Sequence, residues 1–448
     1  MILPKSLPRK VTFPLCLAAA CTLLSLTFQF LVVEKIGVGL SSDLYYAGTI
    51  ISLMLYSLTF DPLNSVLIPM YVEKFAKGED VDLLWNSLLI VVLLGCLMLV
   101  VSYYPALAAF RILFKRIAVG NTAQVGRIFV AFCLYQIVYS AIIVKNCFLY
   151  SRGRATSSQA GLACGWLVSI GALSLHYRPI VNLSHIVYCL VIGNVAALFF
   201  PNLDLKVFSF KRKLLRRHAM ELASRVGPVL VGSAPYKGES LIDGAIASMC
   251  GVGGITVYYL FGRLILSIAT VSHLGYIQPE TKRLADIATR ERGPELRWRA
   301  RTTAVRCVLL SFGMLVPMVS LLVGMRVFDI KFSLPYLEAF ETNFSVLVLM
   351  FGYLVGMQVF RVYANALFVI GREKSFAVIS IFCFGAGVLF KLAGAHWIGL
   401  PGLAAGTSAY WLFYAFAITF VFLVRVDGKP GPFENVAAAR PRPRTVVE

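Results

Sequence analysis

Residues 88–109 read LLIVVLLGCLMLVVSYYPALAA, twenty-two positions without a charged side chain. A helix of about 20 apolar residues crosses the roughly 30 Å hydrocarbon core of a bilayer. Similar runs recur along all 448 residues, of which 58% are hydrophobic and 14% charged, and the mean hydropathy is +0.78. A transmembrane β-barrel would show short alternating segments, so these unbroken runs exclude it. The sequence predicts an all-α polytopic membrane protein with about twelve transmembrane helices.

The basic residues lie mostly between the apolar runs. The chain has 42 Lys and Arg against 22 Asp and Glu, a net charge of +20. In a soluble protein this excess would favour nucleic acid, but cations in the connections favour a role in topology and contact with anionic membrane lipids. No nucleic-acid partner is therefore predicted. The cations favour one side of the membrane roughly threefold, which predicts that both termini are cytoplasmic.

The ten cysteines lie within apolar runs, and none forms a C-x-x-C pair. This pattern predicts small core residues and neither disulfides nor a metal site. The sequence also lacks a Walker-type glycine-rich loop for nucleotide phosphates. We therefore predict no cofactor and no nucleotide hydrolysis.

The longest basic connection of the first half divides the chain into two sets of six spans. We predict four regions: an N-terminal six-helix lobe over 1–202, a basic cytoplasmic linker over 203–224, a C-terminal six-helix lobe over 225–425, and a disordered cytoplasmic tail, rich in proline and arginine, over 426–448.

The two predicted lobes share a sequence repeat. Gly-Val-Gly at 37–39 precedes Tyr45-Tyr46, and Gly-Val-Gly at 251–253 precedes Tyr258-Tyr259. Both copies run in the same direction through the membrane, which predicts a parallel repeat about an axis along the membrane normal. Such a repeat places a cavity between the lobes, the geometry of alternating access.

Ionisable residues inside spans are costly and normally face a cavity or a partner. Glu239 and Asp243 are four residues apart and share one helix face, where they could bind a coupling cation or proton. The alternative is a structural ion pair with Lys237. Asp61 precedes Pro62, which permits a kink, and is a further candidate for ion coupling.

Four cations also fall within predicted spans. Arg263 and Arg361 are candidates to grip a phosphate through paired hydrogen bonds. The alternative for each arginine is a position near a membrane interface, which the side chain reaches by snorkelling. For Lys145 snorkelling is favoured, and Lys391 is expected to reach the external interface.

Several stretches, in order along the chain, resemble the MviN/MurJ family of lipid-linked glycan flippases. They are GVGLSSDLYYA at 37–47, the segment from Asp61 to Pro69, PVLVG at 228–232, LIDGAIAS at 241–248, Tyr258-Tyr259 with Arg263-Leu264, RVYA at 361–364 and GLAAGTS at 402–408.

This resemblance implies the fold of the multidrug/oligosaccharidyl-lipid/polysaccharide exporter superfamily. It implies translocation of an undecaprenyl-pyrophosphate-linked sugar, lipid II or a related polysaccharide repeat unit, across a bacterial inner membrane. The cavity arginines of the family's first two spans have no counterpart, because no arginine occurs between Lys10 and Arg111. The residues expected in the substrate cavity are Arg263, Arg361, Asp43, Tyr46, Tyr259 and Lys237.

Two other functions remain open at this point. A cation-coupled exporter of small amphiphilic drugs on the same fold would use the intramembrane acids Asp61, Glu239 and Asp243. A polyprenyl-phosphate glycosyltransferase would use acids in an early external loop, such as Glu34 and Asp43. The internal repeat and the lack of a large external domain argue against the enzyme.

Overall fold

The computed structural model describes most of the chain as α-helix. The described residues are 9–60, 63, 67, 70–71, 81–152, 154–175, 182–200, 216, 218–224, 226, 238–273, 277, 280, 284, 287, 293–327, 342–370 and 372–426. Among them are fourteen helices and no strand. The all-helical fold predicted from the apolar runs is confirmed.

The first half contributes seven helices. They are α1 (Arg9–Ile36), α2 (Leu40–Thr59), α3 (Val81–Leu113), α4 (Lys115–Ala118), α5 (Thr122–Ser151), α6 (Ala155–Ser174) and α7 (Ser184–Phe199). The second half contributes α8 (Glu239–Met249), α9 (Gly254–Ser272), α10 (Gly293–Val327), α11 (Phe344–Leu349), α12 (Phe351–Val369), α13 (Glu373–Ile398) and α14 (Leu400–Arg425).

Apart from the short helices α4 and α11, each half supplies six helices to a lobe. Within the described residues, eight helices are long and apolar enough to cross a bilayer. In the N-terminal lobe α5 packs against α2, α3 and α7, while in the C-terminal lobe α14 packs against α12 and α13. The lobes meet where α1 and α2 contact α8 and α9.

The last hairpin of each lobe is packed through glycine. A Cβ added at Gly193 of α7 would overlap Ser169 Oγ and the carbonyl oxygen of Gly165 on α6. A Cβ at Gly402 of α14 would overlap the backbone of Gly394 on α13. Small residues let membrane helices approach closely without a hydrophobic driving force between them. The two lobes thus repeat one packing device.

Part of the predicted linker is helical and buried against the N-terminal lobe. Residues 218–224 are helical, and His218 is buried with its Nε2 2.8 Å from Ser87 Oγ of α3. The predicted tail lies outside the described residues apart from Val426. The boundaries of the four predicted regions stay predictions.

Candidate functional site

The lobes touch at the turns that carry the sequence repeat. Gly37, between α1 and α2, and Gly253, between α8 and α9, have φ angles of +74° and +82°, which favour glycine. The side chain of Asp43, on the first turn of α2, is fully buried. Its carboxylate accepts hydrogen bonds from the Gly253 N–H at 2.7 Å and from the Thr256 N–H at 3.0 Å. The Thr256 hydroxyl also donates to it, at 2.8 Å.

Asp43 therefore caps α9 of the opposite lobe. A carboxylate at a helix N-terminus satisfies N–H groups that have no partner within the helix, and it also interacts favourably with the helix dipole. This set of bonds, called here the interlobe contact, ties the N-terminal lobe to the C-terminal lobe at one end of the molecule. The structure places Asp43 inside this contact and not on an open cavity wall.

The two acids of α8 share one ammonium group. Lys391 of α13 places Nζ 2.6 Å from Glu239 Oε1 and 2.7 Å from Asp243 Oδ1. The lysine is 2% exposed, and Asp243 is buried as well. A single buried cation is therefore shared by two carboxylates on one helix face. With both acids ionised the cluster keeps a net charge of −1, which is costly in a low-dielectric interior.

Aromatic and hydroxyl groups complete this ionic cluster. The Trp411 indole N–H donates to Glu239 Oε1 at 3.0 Å, and the Tyr258 hydroxyl donates to Asp243 Oδ2 at 2.9 Å. Tyr258 OH also lies 2.7 Å from Thr407 Oγ1. The Lys391 ammonium lies 4.8 Å from the ring centroid of Tyr410. The cluster joins α8, α9, α13 and α14.

The second group of charges lies on the side of α9 that faces the N-terminal lobe. Arg263 donates from Nε to the Tyr259 hydroxyl at 2.7 Å, and from Nη2 to the same oxygen. The Tyr259 ring packs against Tyr46 of α2, with centroids 4.5 Å apart and the ring planes tilted by 37°. Arg263 also lies within electrostatic reach of Tyr135 on α5. Within the described residues, the half-buried Arg263 has phenolic neighbours and no carboxylate partner.

Arg361 reaches the last turn of the same helix. From α12 its Nη1 donates to the carbonyl oxygen of Ala269 at 3.0 Å. Tyr353 lies within electrostatic reach of both Arg361 and Arg263. The two arginines are thus associated with one helix, Arg263 near its middle and Arg361 near its C-terminal end. A cation at a helix C-terminus also interacts favourably with the dipole.

Four predicted positions need separate mention. Asp61 and Lys237 lie outside the described residues. Lys391 does not reach the external interface as expected, because the carboxylates of α8 hold its ammonium inside the C-terminal lobe. Lys145 is 2% exposed and donates to the carbonyl oxygens of Ala197, Leu198 and Phe200 at the end of α7. It therefore caps a helix instead of snorkelling.

Sequence reasoning missed the partner of the two acids. Lys391 was recognised as a lysine within a span, but its separation of 152 residues from Glu239 gave no sign of the contact. The available signal was electrostatic: a lysine in an apolar run needs an anionic or carbonyl partner. The cluster contains two acids, and no group of three or more His, Cys, Asp or Glu side chains suited to a metal occurs in the described part of the chain.

No protein-family model and no curated protein sequence match this chain. Solved structures do match over nearly its full length. An inward-facing multidrug resistance MATE family transporter of the MOP superfamily aligns with 97% of this chain and 100% of its own, with a TM-score of 0.69 and 14% identity. The lipid II flippase MurJ in an inward closed conformation aligns with 91% of this chain and 88% of its own, with a TM-score of 0.64 and 14% identity.

A third solved structure broadens the comparison. A MOP superfamily transporter from Pyrococcus furiosus, described as having a binding pocket of reverse polarity, covers 93% of this chain and 94% of its own, with a TM-score of 0.63 and 14% identity. At these identities the likeness establishes the fold alone. The chain shares the two-lobed fold of these structures, and its own residues must carry the argument about substrate.

Proposed function

We propose that this chain is an alternating-access transporter that moves a polyprenyl-pyrophosphate-linked sugar across the bacterial inner membrane, with both termini cytoplasmic. The substrate is lipid II or a related polysaccharide repeat unit. The observation that carries the proposal is Arg263, a half-buried guanidinium between the lobes whose neighbours are phenols. A buried cation without an anionic partner is costly, and a pyrophosphate would supply that partner.

In this mechanism α9 carries both the contact that closes one entrance and an arginine that binds the charged head of the substrate. The interlobe contact at Asp43 and Gly253 keeps one entrance closed, so the sugar–pyrophosphate head enters from the opposite side. Arg263 and Arg361 hold the pyrophosphate, and the Tyr259 ring, packed on the fully buried Tyr46, lies beside Arg263. The polyprenyl tail stays in the bilayer. Separation of Asp43 from α9 then opens the entrance that was closed.

Coupling is assigned to the ionic cluster of Glu239, Asp243 and Lys391. Because Lys391 supplies one positive charge against two acids, the cluster keeps one negative charge that an incoming proton or cation can neutralise. Protonation of one carboxylate would weaken the hold of α8 on α13 and favour rearrangement of the C-terminal lobe. Asp61 stays a second candidate for coupling. The membrane potential supplies about 2.3 kcal/mol per charge per 100 mV.

The main alternative is a cation-coupled exporter of small amphiphiles on the same fold. The half-buried Glu239 and the buried Asp243 favour this function, and the matching MATE structure is a multidrug resistance transporter. An amphiphilic cation would be repelled by Arg263, whereas an anionic head group would be attracted. The two functions therefore differ in the sign of the substrate charge.

The test measures the initial rate at which proteoliposomes flip a fluorescent undecaprenyl-pyrophosphate-linked monosaccharide between leaflets. Arg263→Gln together with Arg361→Gln should lower the initial rate at least tenfold, because each lost charge-assisted hydrogen bond contributes about 1.5–3 kcal/mol. Arg111→Gln is the matched control: this exposed arginine lies at the end of α3 and should leave the rate unchanged.

Two results would contradict the proposal. One is a rate that stays unchanged in the double variant while the protein remains folded. The other is wild-type protein that leaves the lipid-linked probe in place but extrudes cationic dyes from vesicles. The second result would establish the exporter in its place.

A further inference from the structure

The N-terminal lobe contains a polar crevice that the mechanism above does not use. It lies among α2, α3 and α5 and has a volume of about 30 Å³. Its polar lining consists of Ser52, Tyr56, Ser102 and Gln136, and Leu55, Met98 and Ile137 are among its apolar side chains. Gly95 allows α3 to approach α5 closely, because a Cβ there would lie 2.6 Å from Ile137 Cγ1.

Gln136 is the unusual member of this lining. It is 4% exposed, and neither its amide nitrogen nor its amide oxygen has a hydrogen-bond partner among the described residues. A buried amide left in this state costs about 1–3 kcal/mol. The two neighbouring serines do not relieve it, because Ser52 donates to the carbonyl oxygen of Gly48 and Ser102 to that of Met98. Gln136 is therefore poised to bond something that enters the crevice.

The chemistry of that occupant follows from the lining. An amide offers N–H donors and a carbonyl acceptor together, so its best complement is a second amide that bonds through both groups. Among the described residues no Lys, Arg, Asp or Glu lines the crevice, so a charged occupant would find no counter-charge there. The apolar side chains suit a methyl group. The volume admits about two water molecules, which occupy about 60 Å³ in the liquid, close to the size of one acetamido group.

A series of aromatic rings leads from the crevice to Arg263. Tyr56, which lines the crevice, contacts Tyr139 with centroids 5.8 Å apart, and Tyr139 stacks on Tyr135 at 5.8 Å with the ring planes 9° apart. Tyr135 lies within electrostatic reach of Arg263. Aromatic faces of this kind offer flat apolar surface with a polar edge, which suits the C–H face of a sugar ring. The series separates a neutral polar site from a cationic one.

The geometry points to a subsite in which Gln136 binds the acetamido group of an N-acetylated sugar, while the sugar ring lies along Tyr139 and Tyr135 toward Arg263. This inference rests on the proposed function, since it names the sugar substituent that the transporter selects. Specificity arises because a hydroxyl group in place of the acetamido group leaves one end of the Gln136 amide unpaired. Gln136 acts as a specificity-determining residue, and Arg263 binds the anionic part of any such substrate.

The experiment compares two lipid-linked probes in proteoliposomes, undecaprenyl-pyrophosphate-N-acetylglucosamine and undecaprenyl-pyrophosphate-glucose. Wild-type protein should flip the acetylated probe about tenfold faster, as expected when a buried hydrogen-bonding site meets a substrate that lacks its partner. Gln136→Leu should reduce this preference to twofold or less, because the acetylated probe loses both bonds to the amide and its rate falls further than that of the glucose probe. The variant should fold, because leucine removes two unpaired polar atoms.

The control is Gln358→Leu, which removes a fully buried glutamine that donates to Ser311 in the other lobe. It should keep the preference between the probes. A second measurement does not depend on transport. N-acetylglucosamine should raise the Tm of purified wild-type protein, whereas glucose should not. Neither sugar should raise the Tm of Gln136→Leu.

The outcomes separate this subsite from the proposed function. Equal flipping of both probes by wild-type protein, or an undiminished preference in Gln136→Leu, overturns the subsite and leaves the flippase function standing. Failure to flip either probe overturns the flippase. In that case a Tm shift specific to the acetylated sugar would still support the subsite at Gln136. An equal Tm response to both sugars would mean that the crevice holds only water.

Discussion

The two lobes share their helix order and their glycine-packed final hairpin, but they treat buried charge in opposite ways. The C-terminal lobe gathers Glu239, Asp243 and Lys391 into one ionic cluster. The N-terminal lobe holds Lys145 with three backbone carbonyl oxygens, and the polar groups of its crevice are neutral. A repeated fold thus supports two electrostatic environments, one ionic and the other neutral.

The sharpest test of this contrast is to remove the buried lysine of each lobe. Lys391→Met should lower the free energy of unfolding by about 3–5 kcal/mol, because it leaves the buried Asp243 and the half-buried Glu239 without a cation. Lys145→Met should cost about 1–3 kcal/mol, since only carbonyl groups lose a partner. Thermal unfolding of both variants in the same detergent would measure the difference.

A second experiment restores the stability lost in Lys391→Met by replacing the two acids with neutral amides. Adding Glu239→Gln and Asp243→Asn to Lys391→Met should restore most of the lost stability, because neutral amides need no cation. Equal costs for Lys391→Met and Lys145→Met, or the absence of rescue, would show that the ionic cluster is not what distinguishes the lobes.

A smaller effect tests what the lobes have in common. Gly193→Ala and Gly402→Ala should each lower stability by about 1–3 kcal/mol, because the new methyl group overlaps the neighbouring helix of its hairpin. Gly171→Ala on α6 is the control, since no atom lies within 4 Å of the added Cβ, and it should be neutral or slightly stabilising. Thermal unfolding again provides the measurement. A cost in only one hairpin would contradict the shared packing device.

The smallest expected change concerns the contact between the lobes. Asp43→Asn keeps one acceptor but removes the negative charge at the start of α9, which should weaken the interlobe contact by about 1 kcal/mol. A change of that size shifts the equilibrium between closed and open entrances about fivefold. Spin labels on the α1–α2 and α8–α9 turns should report a larger population of long distances. An unchanged distance distribution would show that Asp43 does not hold the entrance closed.

The helices could be predicted from local sequence, because the apolar run that forms a span lies within that span. The run at 88–109 lies inside α3, and Glu239 and Asp243 share a face of α8 as their spacing requires. The partners were not predictable in the same way. Asp43 meets Gly253 at a separation of 210 residues, and Lys391 meets Asp243 through the packing of α13 on α8. Such contacts depend on how helices are arranged, and hydropathy carries no information about that arrangement.

Helix α9 links three of the features described above. Its first residues receive the carboxylate of Asp43, and Arg263 follows about 13 Å further along the same axis. A helix of this length moves as a rigid rod, so a tilt that frees its N-terminus must also displace the guanidinium. In the proposed mechanism, opening the entrance and moving the positive charge are then a single displacement.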